Sequence, residues 1–367
     1  MSHSPPLRQI ILVHGRSTKP SEADKRRLVR TAMGHGVRRV SERAADELVS
    51  GQVAFTLAYY GDISNRILAD KARHWLTERD AEHDWGPCEG GGYYYAALAR
   101  SLARPTEAFG PLDYDRMLAE EKDLRYVDEI AAIASRIANP LGLGQILVRH
   151  SSIDLGAYFL DPAVGEAVRA RVELPLLRAL RAGRKVCLIG HSMGCVVAYD
   201  ALWRLSRRPE FLELLGDSPN PVDLWLTLGN PLGEPGMRAN LLDASQAPDD
   251  RFPRNILRNW INISAEDDYI AHDKTVADDY REMLDRGYVH RLVDRPPIYN
   301  FWNQAGHSNP HKLYGYLDNP AVGAEIARWI LGHHPELEPN SDIGGTRGNA
   351  HGAASESRGN ARGAASE

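Results

Sequence analysis

The chain reads as an α/β protein: a mostly parallel sheet with helices on both faces. Three observations predict this. Short apolar runs recur along the chain, and each ends in a polar or Gly-rich loop. Segments with helical spacing lie between them. One run leads directly into Gly190-His191-Ser192-Met193-Gly194, a G-x-S-x-G pentapeptide at a strand-to-helix junction.

Gln9–Val13, apolar from Ile10 onward, runs into His14-Gly15-Arg16-Ser17. A helical stretch over about 23–50 follows, with Leu28, Ala32, Val40, Ala44 and Leu48 as inward positions. Gly51 to Tyr60 predicts a second strand, in which Val53, Phe55 and Leu57 alternate. No good strand appears from Ile63 to Gly183, a stretch too long for an ordinary crossover. We expect most of this insertion, about 63–183, to be a helical cap, with helices over 119–137 and 163–180. Its Gly90-Gly91-Gly92-Tyr93-Tyr94-Tyr95 link reads either as an aromatic-lined entrance or as a surface linker.

Lys185–Ile189 is the strand before the pentapeptide, and Cys195 to Leu205 the helix after it. Three further strands are expected at Val222–Leu228, Trp260–Ser264 and Ile298–Trp302, and a closing helix at about 320–331. An 11-residue near-repeat ends the chain, Thr346 to Glu356 and then Ser357 to Glu367, with no large apolar residue. Such a segment cannot bury enough surface to fold. The expected organisation is one domain over 1–335 and a disordered tail over 336–367.

Composition narrows the function. Lys plus Arg total 44 against 49 Asp plus Glu, a net charge of −5, so no basic field favours nucleic acid. Cys88, Cys187 and Cys195 are odd in number and unpaired in spacing, which points to a reducing, cytoplasmic setting. The N-terminal residues show no secretion signal, and no apolar stretch approaches the roughly 20 residues that span a bilayer. No phosphate loop is present. His307 and His311 have a two-histidine metal spacing, but Pro310 between them argues against a regular helix, and no metal or cofactor is expected.

A strand, a tight turn and a helix hold the central serine of G-x-S-x-G in strained geometry above a sheet, which makes Ser192 the candidate nucleophile. A serine hydroxyl needs a base, and the base an orienting carboxylate. His307 lies just past the last expected strand; His311 is a close runner-up, and His290 precedes that strand. After Trp260–Ser264 come Glu266, Asp267 and Asp268. Counting three residues from Ala265 selects Asp268, with Ile270 turned to the core; counting from Ser264 selects Asp267. Two backbone donors should form an oxyanion hole, the N–H of Met193 and, in the loop after the first strand, that of Arg16.

With His14-Gly15, the pentapeptide, the Leu228–Gly233 loop and the loops of Asp268 and His307, the chain resembles the α/β-hydrolase superfamily in its lipase/esterase-like branch. The resemblance covers about residues 8–62 and 184–332; the insertion and tail match nothing assignable. It implies acyl transfer by Ser192, His307 and Asp268 on a small-molecule or lipid-like acyl substrate, with an ester as the expected bond. A thioesterase or acyltransferase on the same triad is the alternative among enzymes, and an inactive binding module the alternative outside them. Nothing in the sequence specifies an oligomeric state.

Overall fold

Six short strands build one open, wholly parallel sheet: β1 (Arg8–Val13), β2 (Val53–Ala58), β3 (Lys185–His191), β4 (Val222–Leu228), β5 (Leu257–Ile263) and β6 (Arg291–Asp294). This computed structural model describes residues 7–70, 92–120, 153–215, 221–304 and 307–332. The expected tail lies outside them. So do residues 71–91 and 121–152 of the insertion.

Sheets covered on both faces need strands that are apolar throughout. β4 is buried at all seven positions, although Asp223 and Thr227 are polar. Alternate residues feed two separate cores. Ile11, Val13, Val186 and Leu188 face one; Ile10, Leu12, Cys187 and Ile189 face the other.

Among the described residues, the α-helices of six residues or more are α1 (Glu22–Arg38), α2 (Glu42–Val49), α3 (Gly61–Asp70), α4 (Gly92–Leu102), α5 (Pro111–Glu120), α6 (Ile153–Leu160), α7 (Pro162–Arg181), α8 (Met193–Leu205), α9 (Pro209–Leu215), α10 (Leu313–Asp318) and α11 (Pro320–Leu331). Capping explains several boundaries. The single helix expected over 23–50 is two, because Ser41 accepts a bond from Ala44 N–H and starts α2 afresh. Asp161 caps α7 ahead of Pro162. Asn319 caps α11 ahead of Pro320, and Gly332 closes it at φ 74°.

Two expectations change in the structure. Ile298–Trp302 is not a sheet strand. Ile298 makes one isolated parallel bridge to Ala265, while the edge strand is Arg291–Asp294 upstream. Pro296 and Pro297 separate the two and offer no N–H for a ladder. The insertion also contributes core helices. Val168, Val172, Leu176 and Ala179 of α7 are buried against β3 and α8, while Ala97 and Leu98 of α4 join the opposite core. Tyr93–Tyr95 lie within α4, where the Tyr95 ring sits 4.4 Å from the Arg27 guanidinium.

A buried polar network ties α6 to α8. Asp200 accepts bonds from Tyr158 Oη at 2.6 Å and from Leu242 N–H at 3.0 Å. Burial pushes its carboxyl up to about 6, against the pull of those bonds and the Arg169 charge. A carboxyl raised this way stays protonated in the fold where the unfolded chain has ionised. Wild type should therefore lose stability relative to Asp200→Asn as the pH rises from ~4 to ~6, and the gap should level off above that. Urea midpoints of the two proteins at both ends of that window measure the difference.

Candidate active site

In the strand order β2-β1-β3-β4-β5-β6, the order reverses between β1 and β3. Ligands of open parallel sheets bind outside the carboxyl ends of strands at such a switch point. There, β1 ends in the His14–Ser17 loop and β3 in the G-x-S-x-G turn. β4 delivers Gly229 and β5 the turn of Asp268.

Ser192 has φ 53° and ψ −127°, a conformation that costs a non-glycine residue about 1–3 kcal/mol. The turn persists because its surroundings dictate it. Ser192 N–H donates to Leu228 O at 3.1 Å, and Cys195 N–H returns to Ser192 O at 2.9 Å. Ser192 occupies the N-cap position of α8 yet makes no side-chain capping bond. Gly194 cannot be larger: a Cβ there would lie 2.4 Å from Val13 O and 2.6 Å from His14 O. That contact sets the first turn of α8, with Met193, against the loop carrying Arg16.

The loop after β1 is fixed from several sides. Tyr60 N–H donates to His14 Nε2 at 3.1 Å, so the His14 proton sits on Nδ1 and is donated to Gly15 O at 2.7 Å. The imidazole stacks on Tyr60, whose hydroxyl reaches His14 O. Ser17, at φ 72°, donates its N–H to the buried Asp154 of α6 at 2.6 Å. The insertion therefore anchors this loop. No sequence pattern identified Asp154, because its partner lies 137 residues away.

Asp268 is buried, whereas Asp267 is partly exposed and Glu266 exposed. Ile270 is buried, as the register from Ala265 requires. The Asp268 carboxylate accepts from Ile270 N–H at 3.0 Å, from Tyr316 Oη at 2.6 Å and from His311 Nδ1 at 2.7–2.8 Å. Burial alone would raise this carboxyl. The His311 charge and hydrogen bond, with that of Tyr316, outweigh it and hold the group below the usual carboxylate value. Tyr316, also bonded by Ala265 N–H, is itself raised well above an ordinary phenol, first by burial and then by Asp268.

The imidazole on Asp268 thus belongs to His311, not to His307 as expected. Of His307 the backbone is described, in the short hairpin of β7 (Asn303–Gln304) and β8 (His307–Ser308); its side chain lies outside the described residues. His311 follows that hairpin and is clamped. Asn300, fully buried, donates to Pro310 O at 2.7 Å and to Lys312 O at 3.0 Å. Asn309 Oδ1 accepts His311 N–H at 3.1 Å, and His191 Nε2 donates to His311 O at 2.7 Å. Through His191 the residue preceding Ser192 holds the backbone of His311. An ionised Asp268 only accepts, so the His311 proton sits on Nδ1 and Nε2 is the basic nitrogen. Gly229, at φ +52°, leaves room for the pair; a Cβ there would lie 2.8 Å from Asp268 Oδ2 and 3.1 Å from His311.

The fold defines an α/β protein with a single open parallel sheet and flanking helices, its candidate site at the switch point. No family model, curated protein or solved structure compared with the chain matches it. Among the described residues, no helix is long and apolar enough to cross a membrane, and no three His, Cys, Asp or Glu side chains are grouped to hold a metal ion.

Proposed function

We propose that the protein is a serine hydrolase of α/β-hydrolase type that cleaves a carboxylic ester through an acyl-enzyme. The observation that carries this reading is a strained serine at a strand–helix elbow beside a buried His–Asp pair, all on the carboxyl edge of one parallel sheet. Ser192 Oγ attacks the carbonyl carbon as His311 Nε2 takes the hydroxyl proton. Asp268 keeps the imidazole in the Nδ1–H tautomer and balances the charge it gains. The N–H groups of Met193 and Arg16 receive the oxyanion, each such donor being worth ~10²–10³ in rate. His311 returns the proton to the leaving alcohol, and water, deprotonated by the same base, releases the acid and restores Ser192. Cys187 and Cys195, neither in a disulfide, suit a cytoplasmic setting.

A fluorophosphonate probe tests the reading, since only an activated serine reacts with it. The wild-type protein should be labelled and should hydrolyse p-nitrophenyl esters. Ser192→Ala should lose both while its melting temperature stays close to wild type. Labelling that persists in Ser192→Ala would place the nucleophile elsewhere. A folded wild type that takes no label would point to a binding module instead.

A further inference from the structure

Helix α6 is bonded to both elements that would supply the oxyanion donors. Near its start, Asp154 is only 2% exposed, and its Oδ2 accepts the N–H of Ser17, in the loop after β1, at 2.6 Å. One turn later Tyr158 donates to Asp200 of α8, the helix whose first residue is Met193, at 2.6 Å. The Asp154 carboxylate is itself held. Its Oδ1 accepts Leu155 N–H at 3.1 Å, and negative charge in the first turn of a helix is favoured. Leu155 and Tyr158 are buried in the same core as Met193 and Cys195, so α6 has a fixed seat on the elbow side of the sheet.

The bond from Ser17 falls where the loop is strained. At φ 72°, Ser17 adopts a left-handed conformation that a residue with a Cβ keeps only when its surroundings impose it. The peptide plane joining Arg16 to Ser17 is gripped at both ends: its N–H donates to Asp154, and its carbonyl accepts from Lys19 Nζ. The preceding plane, which carries the Arg16 N–H, is held through Gly15 O by His14 Nδ1 at 2.7 Å. Asp154 thus fixes the far side of the residue whose N–H serves the oxyanion in the proposed mechanism. We propose that Asp154 is a positioning residue for catalysis: it holds the Arg16–Ser17 peptide so that the Arg16 N–H stays aimed at the oxyanion. The inference rests on the serine-hydrolase reading and deepens it, because it gives the insertion a part in stabilising the transition state.

Oxygen and sulfur esters separate the aim of a donor from the integrity of the fold. The carbonyl oxygen of p-nitrophenyl acetate becomes a strong acceptor as the tetrahedral intermediate forms. The larger sulfur of p-nitrophenyl thionoacetate accepts weakly and gains less from the same donors. Asp154→Ala should lower kcat on the oxygen ester by about tenfold or more, toward the ~10²–10³ of a lost oxyanion donor, with KM nearly unchanged. Turnover of the thionoester should fall far less, so the ratio of the two rates should drop. Asp154→Asn keeps one acceptor oxygen for the N–H groups of Ser17 and Leu155 and should lie between Asp154→Ala and wild type. Rates on the two esters that fall in parallel, or an unchanged oxygen-ester kcat in folded Asp154→Ala, would make Asp154 a structural anchor and overturn the proposal. Should Asp154→Ala fail to fold, Asp154→Asn decides: a lowered ratio supports the role, and a wild-type ratio overturns it. A wild type that neither takes the fluorophosphonate label nor turns over p-nitrophenyl acetate would instead overturn the hydrolase reading, and this role with it.

Discussion

His311→Gln should lower ester turnover by on the order of 10⁴-fold or more, while His307→Gln should leave it nearly unchanged. The size of the effect follows from the role. Without a base at the nucleophile, a triad enzyme keeps only the catalysis of its oxyanion hole and of substrate binding. The choice of residue follows from geometry, since Asp268 bonds the Nδ1 of His311. Steady-state kinetics on p-nitrophenyl acetate, with circular dichroism to show that both variants fold, would check it. The opposite ranking would return the base to His307.

Asp268→Asn should cost about 10⁴-fold in turnover. The carboxamide still accepts on one side, but it no longer fixes the Nδ1–H tautomer or balances an imidazolium. Asp267→Asn should be nearly normal, because that side chain is partly exposed beside the turn. Tyr316→Phe, which removes one donor from Asp268, should fall between them. The lowered Asp268 carboxyl also has a consequence for acid stability. A group depressed in the fold contributes stability above its ordinary value, and that contribution is lost only as the pH falls through the lowered one. Asp268→Asn should therefore narrow the stability gap between neutral and acidic pH. Two healthy variants at 267 and 268 would remove this turn from the mechanism.

Much of the sheet was legible. β1 and β3 follow from the apolar runs Ile10–Val13 and Val186–Ile189, and β4 and β5 from mostly apolar runs interrupted by single polar residues such as Thr227 and Asn262, since strands buried on both faces are largely apolar. β6 was missed because Arg291-Leu292-Val293-Asp294 is an edge strand with only one fully buried position. Ile298–Trp302 misled because Ile298, Phe301 and Trp302 are buried without pairing as a strand; they pack around the loop that Asn300 organises. The insertion could not be divided into core and cover, because helical periodicity does not reveal which face a helix packs against.

Within the site, the sequence alone determined the local features: the elbow at Ser192, which needs only strand, turn glycines and helix in order, and Asp268, which needs only a register counted from Ala265. Tertiary structure decided everything that depends on chain segments meeting. It placed His311 on Asp268, because the pairing of 303–304 with 307–308 and the clamp by Asn300 carry the chain four residues past the position predicted from strand order. It also brought Asp154 to the loop after β1. Asp154 and its partner Ser17 are 137 residues apart, and only the packing of helices against the sheet brings them within hydrogen-bonding distance.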